Sequence, residues 1–404
     1  MRRMTQLFFV FMCLFSIAGC NDISQLEEFT FPIAVGVDLG EEDLLEITFQ
    51  LANPSKGVPN LGSSVDEKPS EIITISAPDI NAARELANIS DAKEIQFSHV
   101  KNLILSEALA RSDKFEEVIK STMRERQYRR NINLVISKER AQDFIRANEP
   151  QLEQRPHKFF ELMVSRWNQT GLMPESTLNR YLEKSQSKNS TFLMMYATAT
   201  QLQPELKTGD EYEAGEVDKR GGNPTQMIGA AVIQDGRMMQ TLNGEQTRSA
   251  LLLRPGSRMD TMLTTFVDPL QTDKIVSTRL VKSESSKVDI QTKEERPAVD
   301  VTVPVSVHIL SVPSKIDYVT NEKNRETLKA SIEKQLAEEA YTIIHFSQRR
   351  KFEPFLWSDT VRGQFWTWQD YKDYRWSEKY SKADVTVTFH VEMNTFGKQI
   401  QPTM

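Results

Sequence analysis

The sequence has little cysteine, little histidine and no long apolar run after its first twenty residues. Only 2 of the 404 residues are cysteines, and Cys13 lies in an N-terminal stretch that we expect to be removed. The single remaining cysteine, Cys20, cannot form an intramolecular disulfide bond. The 5 histidines are dispersed, and none stands at metal-ligand spacing from another histidine or from a cysteine. These absences argue against a disulfide-stapled scaffold and against a zinc site.

Motifs that mark common catalytic sites are also missing. The chain has no glycine-rich phosphate loop between a strand and a helix, and no Gly-x-Ser-x-Gly elbow. Acidic pairs such as Glu294-Glu295 lie in predicted loops, where solvated charge explains them. A pair of carboxylates that the fold brings together for glycoside cleavage stays open, because distances in space cannot be read from sequence. We therefore predict no catalytic residues and no metal ligands.

The chain also lacks an excess of basic residues. Its formal net charge is −6, and the two arginines at positions 2 and 3 would leave with the N-terminal segment. Nucleic-acid binding depends on a basic surface, and so does the attraction of a protein to anionic lipid. We expect no nucleic acid partner, and no membrane attachment that depends on charge.

What the sequence does contain is a lipoprotein signal. After Arg2 and Arg3 comes an apolar stretch at residues 7–17, about 11 residues where a membrane span needs roughly 20. The stretch ends in Ile17-Ala18-Gly19-Cys20, which resembles the bacterial lipobox. We predict cleavage after residue 19, and a diacylglycerol group and an N-acyl chain on Cys20, with no other cofactor. Several acyl chains on one residue suffice for stable anchoring. The alternative is an ordinary cleaved signal that happens to contain Cys20.

Hydrophobic periodicity predicts a protein of mixed α and β structure. Apolar residues alternate at residues 299–309 and 385–393, which predicts two half-buried strands. Asp235-Gly236 between two apolar runs predicts a tight hairpin. A stripe at spacings of three and four predicts a long helix from residue 321 to about residue 346. Pro304 predicts that the first alternating run is an edge strand. Strands occur in hairpins as well as singly, so we predict an α+β fold rather than a uniform parallel array.

A polar segment divides the chain. Residues 204–224 are rich in Gly, Glu, Asp and Lys, which is typical of a linker or a long exposed loop. The predicted organisation is a signal peptide at 1–19, an N-terminal α/β region at 20–203, this linker, and a C-terminal α/β domain at 225–400. Whether the N-terminal region forms one domain or two stays open.

Aromatic residues are concentrated near the C-terminus, where four of the 5 tryptophans lie. One interpretation is a surface that binds a partner, a sugar or the membrane interface, because aromatic side chains with a polar tip suit half-wet surfaces. The other is that these side chains fill an irregular loop whose lysine and arginine side chains face solvent. The candidate surface consists of Trp357, Trp366, Trp368 and Trp376.

Several motifs together resemble the Ger(x)C family, the C subunits of nutrient germinant receptors in spore-forming bacteria. The most specific match is Gly229-Ala230-Ala231-Val232-Ile233 followed by Leu242-Asn243-Gly244-Glu245-Gln246-Thr247-Arg248. Further matches are Gly36-Val37-Asp38 at the family's distance from Cys20, Ser98-His99-Val100-Lys101, the segments at residues 107–111 and 124–129, and the spaced Trp368 and Trp376. Asn21 stands where the family usually has tryptophan, and residues 353–357 depart from its pattern after the long helix.

The resemblance implies a multi-domain fold, three domains of mixed sheets with packed helices, and no enzymatic activity. It implies a lipid-anchored subunit at the outer face of the inner spore membrane, assembled with two integral-membrane subunits. The complex would sense small nutrients and trigger germination. Two other functions remain open. The chain could be a lipid-anchored extracytoplasmic protein that itself captures a nutrient or cell-wall fragment, in a cleft between the two halves lined by the region of Trp366. It could also be a cell-wall hydrolase.

Overall fold

The computed structural model describes residues 26–52, 70–150, 156–185, 190–202, 207, 210–292 and 295–395. Over these residues the protein is α+β, with three β-sheets and helices packed against them, which confirms the predicted fold class. The predicted signal peptide and Cys20 lie outside the described residues, as do residues 396–404.

The first sheet has eight strands in the order β10-β9-β8-β7-β6-β2-β3-β4. Strands β2, β6, β7 and β8 run parallel to one another, and the strands on either flank are antiparallel. The bounds are β2 Pro32–Leu39, β3 Leu45–Ala52, β4 Ser70–Ala77, β6 Asn102–Ser106, β7 Asn133–Ser137, β8 Thr191–Thr198, β9 Gln226–Gln234 and β10 Arg237–Leu242. A small parallel pair, β1 Phe29–Thr30 and β5 Glu94–Ile95, lies apart from this sheet.

Helices cover both faces of the first sheet, so its central strands are apolar on both sides. In β7, for example, Leu134 and Ile136 belong to one buried cluster and Val135 belongs to another. The helices are α1 Ile80–Asn88, α2 Glu107–Arg111, α3 Lys114–Arg124, α4 Ala141–Ala147, α5 Pro156–Thr170 and α6 Leu178–Ser185. The side chain of Asp79 caps α1 by accepting hydrogen bonds from the backbone N–H groups of Asn81 and Ala82.

The second sheet has five strands: β11 Met259–Val267, β12 Ile275–Lys282, β13 Lys287–Gln291, β14 Ala298–Ser311 and β15 Asp384–Thr395. The prediction that Pro304 marks an edge strand is wrong, because β14 is paired on both sides. Its antiparallel neighbour β13 pairs up to Thr302 and β12 pairs from Ser306 onward. Pro304 therefore lies in the gap between these two partners, where an amide hydrogen is not required.

In the described part of the second half, the helices are α7 Gly244–Leu253, α8 Glu322–Arg350, α9 Trp357–Arg362, α10 Trp368–Tyr374 and α11 Trp376–Tyr380. The predicted long helix is confirmed as α8, which packs against β15 and α7. Its predicted stripe, including Leu328, Ile332 and Leu336, is buried. The predicted hairpin is also confirmed, since Asp235 and Gly236 both have positive φ between β9 and β10.

Residues from both halves of the chain pack together in one of the buried apolar clusters. Leu193 of β8 and Ala230 and Val232 of β9 belong to the same buried cluster as the second sheet and α8. Strands β9 and β10, which we assigned by sequence to the C-terminal domain, extend the first sheet. Within the predicted linker, Tyr212 packs against the core of that sheet and Ala214 is buried in it. The halves are thus joined by packing as well as by the chain.

Candidate functional site

The four candidate tryptophans separate into a buried pair and an exposed pair. Trp357 is 0% exposed and Trp376 is 4% exposed. The indole Nε1 of Trp357 donates a hydrogen bond to the carbonyl of Leu253 at 3.2 Å, and its ring packs on Phe355 at 4.4 Å between ring centres. As a correction to the candidate surface, these two tryptophans are core residues, since the short helices α9 and α11 turn them toward the second sheet.

Of the exposed pair, Trp366 lies in the connection between α9 and α10, and Trp368 is the first residue of α10. Trp366 is 98% exposed and Trp368 is 39% exposed. The guanidinium of Arg362 and the amine of Lys372 lie over the ring of Trp368, at 5.2 and 5.6 Å from its centre. Thr367 caps α10 by accepting a hydrogen bond from Asp370 N, which fixes the turn between the two tryptophans. Trp366 and Trp368 therefore remain the candidate partner surface, which is smaller than the sequence indicated.

Buried Glu353 stabilises the connection between α8 and α9, residues 351–356, which we call the joint. Its carboxylate accepts hydrogen bonds from the backbone N–H groups of Phe355, Trp357 and Ser358, at 2.6, 3.2 and 3.0 Å. Its own N–H donates to Thr191 Oγ1 of the first sheet at 3.1 Å. Burial raises the pKa of this carboxyl, and the three N–H groups act in the opposite direction. Residues 353–357, where the chain departs from the family pattern, thus fasten the second half to β8.

The most specific family motif lies where the halves meet. Asn243 caps α7 and exchanges hydrogen bonds with Gln246, which forms a capping box. Arg248, which is nearly completely buried, pairs with Asp210 and donates to the carbonyl of Thr170 at 3.2 Å. Burial lowers the pKa of Arg248 to about 10. A buried guanidinium with these partners ties α7 both to the end of α5 and to the segment that precedes β9.

The Gly36-Val37-Asp38 motif has a structural role. The carboxylate of Asp38 accepts hydrogen bonds from Ala141 N at 2.8 Å and Gln142 N at 3.1 Å, so that it holds the start of α4. Burial raises its pKa, and these two bonds oppose the rise. A Cβ atom on Gly36 would lie 2.8 Å from Ile145 Cδ1 of the same helix. The glycine is therefore needed for the close approach of α4 to β2.

A cavity of about 380 Å³ lies between the halves. One wall is α6 of the first half, and the other is the turn that joins α7 to β11 in the second half. Residues of both halves line it, among them Arg180, Phe192, Arg254 and Leu356. Sequence reasoning named none of these as a site. The one signal was Lys282, a lysine in the buried phase of β12, whose amine donates to the carbonyls of Arg254 and Ser257 at 2.8 and 2.9 Å.

The described residues contain neither a cluster of metal ligands nor a membrane-spanning helix. Nowhere in the described part of the chain do three or more His, Cys, Asp or Glu side chains gather closely enough to hold a metal ion. Within the described ranges, no helix has the length and apolar character needed to cross a bilayer. The anchor residue predicted from the sequence, Cys20, lies outside these ranges.

Comparison with known families identifies the chain over nearly its whole length. Residues 22–199 match the family model for the spore germination protein N-terminal domain. Residues 228–397 match the model described as spore germination B3/GerAC like, C-terminal. The chain belongs to the Ger(x)C family. These GerAC-like proteins are germinant receptor C subunits, which confirms the resemblance seen in the sequence motifs.

Individual GerAC-like relatives are distant but cover the same span. The chain is 20% identical to spore germination protein KC of Bacillus subtilis (strain 168) over 375 residues, which is 90% of this chain and 88% of the relative. It is 19% identical to spore germination protein B3 of the same organism over 392 residues, 96% of each chain. The crystal structure of the GerBC protein matches with a TM-score of 0.54 at 16% identity, covering 92% of this chain and 99% of that one. At this identity the match establishes the fold.

Proposed function

We propose that the chain is the lipid-anchored, non-catalytic subunit of a spore germinant receptor. It would be held by acylated Cys20 at the outer face of the inner spore membrane, where it would assemble with two integral-membrane subunits. Anchoring at one end confines the folded body to the membrane surface and so raises its effective concentration near membrane partners. We infer a structural or signalling role for the body rather than a chemical one, since no catalytic motif was found in the sequence.

One observation carries this proposal. The Ile17-Ala18-Gly19-Cys20 sequence ends two residues before the match to the GerAC-like N-terminal domain begins at residue 22. This spacing supports a lipoprotein signal just ahead of the domain, and membership of the family supports the receptor context. Both features are independent of the exposed tryptophans and of the cavity.

The substitution Cys20→Ala tests the anchor. We expect the variant to fold but to leave the membrane fraction of spores, because it lacks the acceptor thiol. The matched control is Cys13→Ala, which removes the other cysteine and should leave the protein in the membrane fraction. Pull-down of the tagged wild-type chain from spore membranes should also recover two integral-membrane proteins. Retention of Cys20→Ala in the membrane fraction would refute the anchor, and recovery of no membrane protein would refute the assembly.

A second function, direct capture of a small ligand by this subunit, is favoured by the cavity between the halves. Binding sites of small molecules are commonly clefts between structural units, with volumes of roughly 300–1,000 Å³. The volume of about 380 Å³ lies at the lower end of that range. A receptor subunit with such a site would contribute to sensing as well as to assembly.

A further inference from the structure

The cavity between the halves has an apolar floor made by both of them. Phe192 comes from β8, Leu251 from α7 and Leu356 from the joint between α8 and α9. Met173 and Met259 complete this floor. Phe192 and Leu251 are each 7% exposed, so they form a well-packed surface under the opening. An apolar part of a ligand could rest here without disturbing the core.

The basic side chains of the wall are of two kinds. Arg180 pairs with Glu175 at 2.6 Å, and Lys184 pairs with Asp359, so these two charges are already balanced. Arg254 and Arg258 differ from them. Within the described part of the chain, neither arginine has an acidic side chain in ion-pair range. Among these residues, Arg254 Nε donates a hydrogen bond to the carbonyl of Pro354 at 2.8 Å, and the guanidinium of Arg258 makes no hydrogen bond. Their remaining N–H donors are available to an incoming anion.

The lining of the cavity also contains acidic side chains, which could repel an anion. Glu175 is used by Arg180, as described above, and Glu183 accepts a hydrogen bond from Asn179 Nδ2 at 2.7 Å. Asp260 is exposed to solvent. The buried amine of Lys282 lies behind the turn and donates to the backbone of Arg254 and Ser257. On the side formed by the second half, the lining thus has two arginines, Arg254 and Arg258, and one acidic side chain, Asp260.

Arg254 is also held in place before any ligand arrives. It caps the C-terminal end of α7, its carbonyl oxygen accepts from Lys282 Nζ, and its Nε is bound to Pro354. Burial lowers its pKa to about 10, with the charge of Glu353 opposing the change. It therefore remains charged at neutral pH. A fixed guanidinium loses little entropy on binding, and its planar donors match the two oxygens of a carboxylate.

We propose that this cavity binds a small organic carboxylate, with the carboxylate on the guanidinium of Arg254, assisted by Arg258, and the apolar part on Phe192, Leu251 and Leu356. This inference rests on the second of the proposed functions and names its ligand class. Since the contacts come from both halves and from their joint, the bound molecule stabilises the arrangement of the two halves seen in the structure.

Hexanoate is the probe that tests the site, with hexylamine and hexanol as ligands of equal chain length and different charge. Binding to the full chain in detergent is measured by calorimetry and by the shift in the unfolding midpoint. We expect saturable binding of hexanoate that raises the midpoint, and no comparable effect of the amine or the alcohol. Equal shifts with all three ligands, or no saturable binding of hexanoate, would overturn the proposal.

Variants of the chain give the second arm of the test. Arg254→Gln should weaken hexanoate binding by at least about tenfold, and Arg254→Lys, which keeps the charge and loses the planar fork, should also weaken it. Arg279→Gln, at an exposed arginine of β12 outside the cavity lining, should bind like the wild type. Unchanged affinity in both Arg254 variants would refute the site. If Arg254→Gln fails to fold, the affinities of Arg254→Lys and Arg258→Gln for hexanoate test the site instead, and unchanged affinity in both would refute it. Loss of hexanoate binding with intact co-purification of membrane subunits leaves the receptor assignment standing, so the two failures are distinguishable.

Discussion

At the scale of single residues, the junction between the halves is rich in buried charge. Glu339 of α8 lies near Arg248, Glu245 and Glu211, which belong to α7 and to the segment before β9. Burial, together with the negative charges of Glu245 and Glu211, raises the pKa of Glu339 to about 7, although the charge of Arg248 opposes this. The carboxyl group of Glu339 is thus more easily protonated in the folded chain than in the unfolded chain.

This raised pKa predicts a loss of stability with rising pH. A carboxyl whose pKa is higher in the folded state stabilises that state fully at pH values below its unfolded pKa. The contribution is lost as the pH rises through about 7. We expect the substitution Glu339→Gln, which mimics the protonated side chain, to be more stable than the wild type at pH 8 by about 2 kcal/mol, and to match it near pH 4.5. Urea unfolding at a series of pH values measures both.

The matched control is Glu338→Gln, which changes the same charge at an exposed neighbour on α8. Its difference from the wild type should not vary in this way with pH. An equal pH dependence in the two variants would show that the net charge of the chain, and not the surroundings of Glu339, is responsible. The sequence could not indicate this residue, because Glu245 and Glu211 come from two segments far from α8 along the chain.

At the scale of secondary-structure elements, strong local signals were sufficient. The stripe of α8 repeats every three or four residues, the Asp235-Gly236 turn joins two adjacent strands, and both predicted features are present. Strand β11 was missed because its pairing with β12 is irregular between Met259 and Met262, which breaks the alternation of buried residues. The helices α9 to α11 were missed because they are only five to seven residues long.

The packing of α4 on β2 gives a prediction at this scale. We expect Gly36→Ala to destabilise the chain by about 1–3 kcal/mol, because the new Cβ would lie 2.8 Å from Ile145 Cδ1 and 3.2 Å from Ala141 Cβ. Gly363→Ala is the control, since its nearest neighbour would be 3.4 Å away and its φ is −64°. Thermal unfolding of both variants is the measurement. Equal midpoints would mean that α4 can move away at no cost.

At the scale of the whole molecule, the arrangement of the halves depends on contacts between segments far apart in sequence. The hydrogen bond from Glu353 N to Thr191 and the pair of Lys184 with Asp359 join residues more than 150 positions apart. Periodicity carries no information about such pairs, so the residues that line the cavity could not be predicted. The sequence suggested a cleft between the halves at Trp366, but Trp366 does not line the cavity. The family motifs did indicate the overall architecture, because they report a complete fold rather than a local pattern.

The exposed tryptophans predict a contact with a partner subunit. We expect Trp366→Ala to leave the unfolding midpoint unchanged, since the side chain is 98% exposed, and to reduce recovery of the membrane subunits in pull-downs from spores. Ile89→Ala, at a side chain that is 80% exposed on α1's C-terminal end, should leave recovery unchanged. Undiminished recovery with Trp366→Ala would remove this surface from the proposal.

Acylation of Cys20 can be measured by mass spectrometry of the native protein from spore membranes. We expect the N-terminal peptide to begin at Cys20 and to carry a diacylglycerol group on the thiol together with an acyl chain on the amino group. A peptide that begins elsewhere, or an unmodified Cys20, would contradict this expectation.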